Sequence, residues 1–439
     1  MKLRDVRVIS EGLESYYRVK AADDGGLIGA EVKDTKKKCW VRTYALNMLR
    51  KVKDKRAKLA VKMRQLDHPH VLRVLDVLQS QEQQFLVYEA AEGGTAQEWC
   101  KRIGGLNEHC AATIMRQVFL AVRHCHSKGI VLGEVTLSQI VFAEPPTEQC
   151  IWVKLLVSLE DQLVLASDSP ELQKKLVLTH ANVLFKCGEV LSRLLTGESV
   201  LTGWHQSTHS EEFKSSYMKW QSVSPEVKNF TMSLLSRDPA KRPTLQECLQ
   251  HPWVAESRCK PALSPCLRSA IRNLATVSPI SSLKKTLLQV IFNLVLSYDD
   301  LKEARKAFLE LDLDRDGTVS ELELQEQINR LFPEEQAQAA LTAITSTVVF
   351  SEQRTVSYSE FLLWACGPAL LTSVNINNAF HLMDTYSDGK MTSKHLRDFC
   401  TFEQEDNSDI LAWRKLVTSI TKSMDGTFHY KDFCVFLQK

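Results

Sequence analysis

The chain has 439 residues, of which 44% are hydrophobic and 25% are charged, and its formal net charge is +2. This length predicts two or three domains with sizeable cores, and the near-neutral charge balance gives no basis for nucleic-acid binding. The 12 cysteines occur singly, without a CxxC pair or a metal-ligand spacing. This pattern favours free thiols in a reducing cytoplasm over a disulfide framework.

Neither a membrane anchor nor a targeting segment is expected. The first residues, MKLRDVRVIS, lack the apolar core of a signal peptide, and Lys2 stands where N-myristoylation requires glycine. The most apolar run, LLQVIFNLVL at 287–296, is too short to span a bilayer. We therefore expect a soluble, cytoplasmic protein.

The pattern along the chain changes from strands to helices. Residues 1–90 alternate short β-like runs with turn signals, interrupted by a basic helical stretch at 46–66. From about residue 107 onward, helical periodicity dominates. The Ser/Pro-rich residues 255–282 are typical of a linker, and helices separated by short acidic or polar loops follow from residue 283.

Six segments match the protein kinase pattern in the order of that family. They are LDHPHVLRVLDV (66–77), FLVYEAAEGG (85–94), GIVLGEVTLSQIVF (129–142), SPEL (169–172), CGEVLSRLLTG (187–197) and SRDPAKRPTLQECLQHPWV (236–254). The third keeps the apolar framework of the family's catalytic loop, GIVHRDLKPENFLF. The chain therefore resembles a protein kinase, which implies an α+β bilobal fold with its small lobe over about 1–90 and its large lobe over about 91–255.

The catalytic positions implied by this resemblance have lost their chemistry. Glu134 stands at the position of the catalytic Asp, and Gln139 replaces the Asn that binds magnesium. The magnesium-binding DFG motif corresponds to Val157-Ser158-Leu159, which contains no carboxylate. Because the metal neutralises the charge that develops on the phosphates, Glu134 alone cannot restore phosphoryl transfer.

The nucleotide-binding positions are degenerate as well. In the segment DGGLIGAEV, Gly26 and Gly29 are kept, but Asp24 stands at the first glycine position and would repel phosphate. Arg42 occupies the position of the strand Lys that holds the phosphates, and Leu59 replaces the Glu that pairs with that Lys. Binding of ATP and magnesium is therefore doubtful, and the resemblance implies a pseudokinase.

Residues 312–323, DLDRDGTVSELE, have the full ligand spacing of an EF-hand calcium loop. The expected calcium ligands are the carboxylates of Asp312, Asp314 and Asp316, the carbonyl of Thr318 and the bidentate carboxylate of Glu323. Gly317 permits the sharp turn of such a loop, and helical patterns flank it on both sides. The alternative, an acidic turn in a solvated loop, does not explain the complete spacing.

Three further loops follow at EF-hand spacing, and each has lost ligands. They are VFSEQRTVSYSE (349–360), DTYSDGKMTSKH (384–395) and TKSMDGTFHYKD (421–432). The first of these three keeps Glu360 without a central Gly, the next has His395 where the bidentate Glu belongs, and the last begins with Thr421. We expect no calcium in the second and third loops of the chain and at most weak binding in the fourth. Paired EF-hands can still use such loops to support an intact one.

A basic, apolar helical segment at 281–308 joins the two halves. Lys284 and Lys285 precede the run LLQVIFNLVL, and Ser297 with Asp300 resembles a capping box that opens the first EF-hand helix. Such a helix is either a target for the hydrophobic grooves of the EF-hands or an ordinary packed linker helix. A kinase-like domain, this junction and four EF-hand repeats together resemble the calcium-dependent protein kinases of plants and protists. The resemblance implies that calcium reorganises the EF-hand region and the junction, and it favours the regulatory role.

A run of positive charge at 33–64 contains 13 Lys and Arg residues against Asp34 and Asp54. Two interpretations remain open for this run. It is either a docking patch for an acidic or phosphorylated protein partner, or the solvated face of a strand turn and the helix that follows.

These patterns predict an α+β bilobal protein-kinase-like domain over 1–255, a linker and regulatory junction helix over 256–297, and an all-α domain of paired EF-hands over 298–439. The leading functional hypothesis is a calcium-binding pseudokinase scaffold whose EF-hand domain senses calcium and alters the binding of protein partners. One alternative is a divergent, active calcium-dependent Ser/Thr kinase that transfers phosphate from ATP to proteins. In the other alternative, the EF-hand half is purely structural.

Overall fold

The structure, a computed structural model, describes residues 2–3, 6–9, 12–22, 27–45, 58–130, 132–147, 151–159, 170–197, 219–256, 264–276, 281–347, 354–384, 388–401, 418 and 427–438. The contacts within the chain define two compact units. The first comprises Met1–Ala57, Val74–Ala90 and Pro261–Lys439, and the second comprises Lys58–Arg73 and Ala91–Lys260. Most of the small lobe expected from the sequence therefore falls in one unit with the C-terminal region.

Strands and helices follow one another along the chain with these bounds. The strands are β1 (Lys2–Leu3), β2 (Arg7–Val8), β3 (Tyr17–Ala22), β4 (Ile28–Val32), β5 (Lys38–Ala45), β6 (Val74–Gln79), β7 (Gln83–Glu89), β8 (Ile140–Phe142), β9 (Val153–Leu155), β10 (Thr318–Ser320), β11 (Thr355–Ser357), β12 (Lys390–Thr392), β13 (Cys400–Thr401) and β14 (Thr427–His429). The helices are α1 (Ala96–Ile103), α2 (Glu108–Ser127), α3 (Pro170–Thr196), α4 (Pro225–Leu234), α5 (Leu245–Gln250), α6 (Pro252–Glu256), α7 (Pro265–Ala275), α8 (Ser282–Leu294), α9 (Lys302–Leu311), α10 (Glu321–Leu331), α11 (Glu334–Thr347), α12 (Tyr358–Ala365), α13 (Ser373–Met383), α14 (Ser393–Phe399) and α15 (Tyr430–Gln438).

The first unit contains a six-stranded sheet in the order β2-β6-β7-β5-β4-β3. β2 runs parallel to β6, and the other neighbours are antiparallel. In β7, QQFLVYE, every residue after the first is buried. A strand with both faces buried has a near-continuous apolar sequence rather than an alternating one, and this is the pattern of β7.

The sheet and the C-terminal helices share one hydrophobic core in this unit. Phe85 and Val87 of β7 belong to it, and α8 packs against β6. α7 contributes Leu267, Ala270, Ile271 and Leu274. These four residues have the spacing of one helix face, so α7 buries a single apolar stripe. The core therefore joins residues from both ends of the chain.

The helix α7 was not expected from the sequence, because it lies within the Ser/Pro-rich segment assigned to a linker. The hydroxyl of Ser264 accepts a hydrogen bond from the Leu267 N–H at 3.4 Å, and Pro265 occupies the first helical position. Ser at the N-cap and Pro at the next position are typical of a helix start. The same Ser/Pro composition that favoured a linker thus marks the beginning of a packed helix.

Beyond α8, the described part of the first unit contains helices and short antiparallel strand pairs. β10 pairs with β11, and β12 pairs with β14. Val319 faces Val356 in the first ribbon, and Met391 faces Phe428 in the second. All four side chains are buried. The first ribbon therefore joins the predicted EF-hand loops at 312–323 and 349–360. The second ribbon joins those at 384–395 and 421–432.

The second unit is mostly helical and has α2 at its centre. The Asn107 side chain accepts a hydrogen bond from the Cys110 N–H at 2.8 Å and so caps this helix. α2 packs against α3, α5 and α6. A short β8–β9 pair follows, in which Ile140 faces Leu155. This pair fixes the last three residues of the segment that resembles a catalytic loop.

The predicted fold class is confirmed in its parts, which are a sheet-rich N-terminal lobe, a helical large lobe and a helical C-terminal region. The domain limits at 255 and 297 stay predictions from the sequence. Within the described ranges, no helix is long and apolar enough to cross a membrane.

Candidate functional site

The loop at 312–323 begins where α9 ends. Asp312 is the C-cap residue of α9, and its N–H donates to the Phe308 carbonyl at 2.9 Å. Two loop residues adopt left-handed backbone angles, Gly317 with φ 89° and Arg315 with φ 61°. Glycine takes this conformation without steric cost, so Gly317 makes the sharp turn that the sequence pattern requires.

The carboxylates of the first and third loop positions organise the backbone from inside. Asp312 Oδ1 accepts a hydrogen bond from the Asp316 N–H at 3.1 Å, and its Oδ2 accepts one from the Gly317 N–H at 3.2 Å. Asp314 Oδ1 also accepts from the Asp316 N–H, at 3.0 Å. The loop is therefore wrapped around the side chains that the sequence pattern assigns to calcium.

Glu323 closes the loop from the first turn of α10. The N–H and hydroxyl of Ser320 donate to Glu323 Oε2 at 2.9 and 2.8 Å, and the Glu323 N–H donates to that hydroxyl at 3.2 Å. This reciprocal arrangement is a capping box. The other oxygen, Oε1, accepts from the N–H groups of Leu313 and Asp314 at 2.8 and 3.3 Å. The carboxylate is thus held across the entrance of the loop.

Three of the five predicted ligands converge. The ligand oxygens of Asp312, Asp314 and Glu323 lie within 4.8 Å of one another. Asp316 is not part of this group, and its Oδ1 accepts from the N–H and the hydroxyl of Thr318 at 2.7 and 2.8 Å. The structure therefore brings together the first, third and last loop positions and leaves the fifth beside the seventh.

The converging carboxylates fit a hard divalent cation. Asp312 is fully buried, and burial raises its pKa to about 8. The guanidinium of Arg315 opposes this rise in pKa, whereas the negative charges of Asp316 and Glu323 add to it. A cation would relieve this crowding of like charges. Calcium suits such a donor set because it binds about six to eight oxygen ligands.

In the second loop, the final Glu contacts a lysine. Lys285 Nζ of α8 donates to Glu360 Oε1 at 2.5 Å, and the two side chains are 29% and 21% exposed. The Ser357 hydroxyl accepts from the Glu360 N–H at 3.5 Å. Val349 and the rest of 348–353 lie outside the described residues. The prediction that this loop binds no calcium stays a prediction.

The third loop keeps the backbone geometry of the first at its start. Asp384 is buried, and its two carboxylate oxygens accept from the N–H groups of Asp388 and Gly389 at 3.3 and 2.8 Å. At the last position, His395 Nδ1 accepts from the Thr392 N–H at 3.3 Å. A neutral imidazole that accepts at Nδ1 carries its proton on Nε2, so it offers a donor where calcium requires an oxygen.

The fourth loop is described only from Thr427 onward. Asp432 Oδ2 accepts from the His429 N–H at 3.3 Å, which resembles the closure made by Glu323 in the first loop. Thr421 and the rest of 419–426 lie outside the described residues. Weak calcium binding by this loop stays a prediction.

The segment at 129–142 leads into β8 in the second unit. Leu132 and Val135 are buried, whereas Glu134 between them is exposed. Gln139 Oε1 accepts from the N–H and the hydroxyl of Thr136 at 2.9 and 3.1 Å. The residue at a magnesium-binding position of the kinase pattern therefore closes a turn of its own loop.

Magnesium does not fit the described residues at the other metal and charge-pairing positions. Val157, Ser158 and Leu159 are 1%, 2% and 6% exposed, so the segment at the DFG position is part of the core. Leu59, in the helical stretch 58–64, is also buried. Magnesium requires oxygen ligands and several waters, whereas the side chains of Val157, Leu159 and Leu59 carry no oxygen. The carboxylates at 160 and 161 lie outside the described residues.

The predicted phosphate-binding residues are partly described. Gly29 on β4 lies opposite Trp40, and Arg42 on β5 lies opposite Leu86. Gly26 lies outside the described ranges, as do residue 24 and the basic residues at 46–57. Nucleotide binding through Gly26, Gly29 and Arg42, and a docking role for the basic run, stay predictions.

Two buried contacts between the small-lobe sheet and the C-terminal helices were not predicted. Arg305 Nη2 of α9 donates to Glu89 Oε2 at the end of β7, at 3.3 Å. Lys37 Nζ donates to the carbonyls of Asn293 and Phe292 at the end of α8, at 2.7 and 3.4 Å. The partners are 216 residues apart in the first case and 256 and 255 in the second. No local sequence pattern signals such contacts.

Comparison with known proteins gives consistent matches along the chain. The protein kinase domain family matches residues 27–151 and 168–254. Calcium-dependent protein kinase 3 of Plasmodium berghei (strain Anka) is 23% identical over 97% of this chain and 81% of its own length. Calcium-dependent protein kinase 28 of Oryza sativa subsp. japonica is 25% identical over 85% of this chain and 73% of its own length. For calcium-dependent protein kinase 7 of Arabidopsis thaliana the identity is 22% over 88% and 75%.

The chain therefore contains a protein kinase domain. It is homologous to calcium-dependent protein kinases across most of its length, which confirms the resemblance drawn from the sequence motifs. The family match is interrupted at 152–167, and this interval contains Val157, Ser158 and Leu159. The match is thus lost around the position where the kinase pattern binds magnesium.

Proposed function

We propose that the protein is a calcium-binding relative of the calcium-dependent protein kinases whose kinase domain no longer transfers phosphate. Calcium binding at 312–323 alters how the chain engages protein partners. The observation that carries this proposal is the convergence of Asp312, Asp314 and Glu323, whose ligand oxygens lie within 4.8 Å of one another. The names of the relatives, all calcium-dependent protein kinases, support regulation by calcium.

The roles of the ligands follow from the loop pattern. Asp312, Asp314 and Asp316 would supply carboxylate oxygens, Thr318 its backbone carbonyl, and Glu323 two oxygens from the exit helix. When bound, calcium supplies positive charge that neutralises these carboxylates. The hydrogen bonds from Ser320 and Leu313 already hold the last carboxylate across the loop entrance. Calcium binding would chiefly require the Asp316 carboxylate, which is hydrogen-bonded to Thr318, to join the three carboxylates that already converge.

The absence of phosphotransfer is supported by what replaces the catalytic groups. The segment at Val157 is apolar and buried, and Gln139 is hydrogen-bonded within its own turn. Leu59 removes the ion pair that the phosphate-binding Lys requires. The kinase domain then acts as a scaffold for protein partners, in the cytoplasm, where thiols stay reduced.

A divergent, active Ser/Thr kinase is the second candidate. The observation that favours it is Glu134, whose side chain is exposed at the position of the catalytic base. A carboxylate there can accept the proton of a substrate hydroxyl. Such an enzyme needs another source of positive charge for the phosphates, for which Arg42 is the retained basic residue.

Calcium calorimetry on the full chain tests the leading proposal. We expect the tightest calcium site of the wild-type protein to be lost in Asp312→Ala. The matched control is Asp384→Ala, which removes the equivalent carboxylate of the third loop, with the same pair of backbone hydrogen bonds. Calcium binding that survives Asp312→Ala, or is lost equally in Asp384→Ala, contradicts the assignment. A wild-type chain that binds no calcium leaves the C-terminal region a structural module.

A further inference from the structure

The last carboxylate of the second loop has a cationic partner that belongs to the protein. In an EF-hand, this Glu supplies two oxygens to calcium and so connects the ion to the exit helix. In the second hand, which we define as α11, the loop at 349–360 and α12, the corresponding Glu360 binds the ammonium group of Lys285 at 2.5 Å. The partner lies on α8, the helix that joins the kinase-like half of the sequence to the EF-hand half.

The position of Lys285 is unfavourable for its own helix. Ser281 caps α8, so Lys284 and Lys285 lie in its first turn. The positive end of the helix dipole destabilises cations there, and the helix stability of α8 therefore does not explain this lysine. The carboxylate of Glu360, 75 residues away, offsets that repulsion through a charge-assisted hydrogen bond.

The first and second loops differ in what their final Glu does. Glu323 closes a capping box with Ser320, whose N–H and hydroxyl both donate to its carboxylate. In the second loop, Ser357 accepts from the Glu360 N–H, and the Glu360 carboxylate accepts from Lys285. The acidic side chain of the second loop is thus committed to the junction helix.

We propose that Lys285 takes the place of a bound cation in the second hand and latches this hand to the junction helix at every calcium concentration. The proposal deepens the proposed function, because it leaves the first loop as the calcium-responsive element of the pair. The latch itself requires no calcium. Loss of calcium binding and loss of the latch are therefore separate results.

Both helices joined by the Lys285–Glu360 ion pair make further contacts within the first unit. α12, which carries Glu360, packs against α9 through ring contacts of Phe308 with Tyr358 and Phe361, at centroid distances of 4.8 and 5.4 Å. The opposite end of α8 is held by the small-lobe sheet region, where Thr35 Oγ1 donates to the Leu294 carbonyl at 3.0 Å. The helix α9 leads into the first calcium loop. The latched hand therefore holds α12, against which α9 packs, in place when calcium binds to that loop.

Amide hydrogen exchange of α8 in the presence of EGTA tests the latch directly. We expect slow exchange across 282–294 in the wild-type protein without calcium. Lys285→Met and Glu360→Gln should each accelerate exchange there by at least about fivefold, because either change removes the ion pair that ties α8 to α12. The control Lys284→Met makes the same change of charge one residue away and should exchange like the wild type.

A charge exchange separates the ion pair from a general loss of stability. Lys285→Glu combined with Glu360→Lys should restore slow exchange, whereas Lys285→Glu alone should not. Exchange of α2 should stay unchanged in every variant, which verifies that the second unit is folded. Equal exchange of α8 in Lys285→Met and Lys284→Met overturns the proposal, as does fast exchange of α8 in the calcium-free wild type. Neither result depends on whether the first loop binds calcium.

Discussion

In the loop at 312–323, polar side chains hold the backbone together, whereas in the segment at 129–142 the framework is held mainly by apolar residues. Asp312 and Glu323 each accept backbone hydrogen bonds that shape this loop. Around Glu134, the buried residues are Leu132 and Val135. Where the functional groups also build the loop, their loss costs structure. Where they do not, the fold can persist without them.

The DFG position shows how far this separation extends in the kinase domain. Val157 and Leu159 are buried in the core. Burial of an aliphatic side chain contributes about 1.5–3 kcal/mol to folding relative to its exposure. The apolar residues at this position therefore stabilise the second unit directly. A return to the kinase sequence here would remove that contribution.

The largest expected effect is the loss of stability in Val157→Asp. We expect this substitution to destabilise the protein without restoring a metal site. The substitution places a carboxylate at a position that is 1% exposed, and we expect a loss of about 3–5 kcal/mol in the free energy of unfolding. Denaturant unfolding measures this loss. Val157→Ala, which removes volume without adding charge, should cost less. A stable Val157→Asp protein that binds magnesium would remove the contrast between the two loops.

Calcium should stabilise the first unit by a smaller amount. At a free concentration about 100 times the dissociation constant, binding to the native state alone adds about 2.7 kcal/mol. Thermal unfolding with and without calcium measures the effect, and Glu323→Gln should abolish it. ATP with magnesium should give no such shift in either protein. A clear rise in melting temperature with the nucleotide would mean that the nucleotide site is intact.

Much of this contrast could be predicted from the sequence because it depends on local spacing. The predicted calcium ligands lie within 12 consecutive positions, 312–323, so the convergence of three of them follows from one turn at Gly317. The order of the kinase segments likewise predicted the fold. Contacts such as Lys285 with Glu360 depend on how distant helices pack. Both residues were noted in the sequence, yet nothing local joins them.

The helix α7 was missed for a different reason. Its composition, rich in Ser and Pro at the start, resembles a linker, and the apolar stripe from Leu267 to Leu274 is short. A helix of this length gains its stability mainly from packing against other elements rather than from its own propensity. Those elements, α9, α11 and α12, follow later in the chain. The sequence of α7 alone therefore could not decide between linker and helix.

A smaller expected effect is a dependence of the stability of the second unit on pH. The rings of His126 and His180 in the second unit are stacked at 4.1 Å, and burial followed by repulsion from His180 lowers the pKa of His126 to about 3. The native state then binds fewer protons than the unfolded chain between about pH 6.5 and 3. Stability from this site is therefore present above about pH 6.5 and falls as the pH is lowered.

Unfolding followed between pH 7 and 5 by probes in the second unit checks this expectation. His126→Phe keeps an aromatic ring against His180 but cannot be protonated, so its stability should depend less on pH. The calcium-induced stabilisation of the first unit should be measured in the same samples, because it reports on the loop at 312–323. Identical pH profiles for the wild type and His126→Phe would rule out His126 as the source.

Phosphotransfer tests the central contrast most directly. The full chain, with and without calcium, is incubated with radiolabelled ATP, magnesium or manganese, and general protein substrates, next to Glu134→Ala. A chain that kept its calcium loop and lost its catalytic chemistry gives no incorporation above Glu134→Ala under any condition. Calcium-stimulated incorporation that Glu134→Ala abolishes would contradict this account and identify an active, divergent kinase.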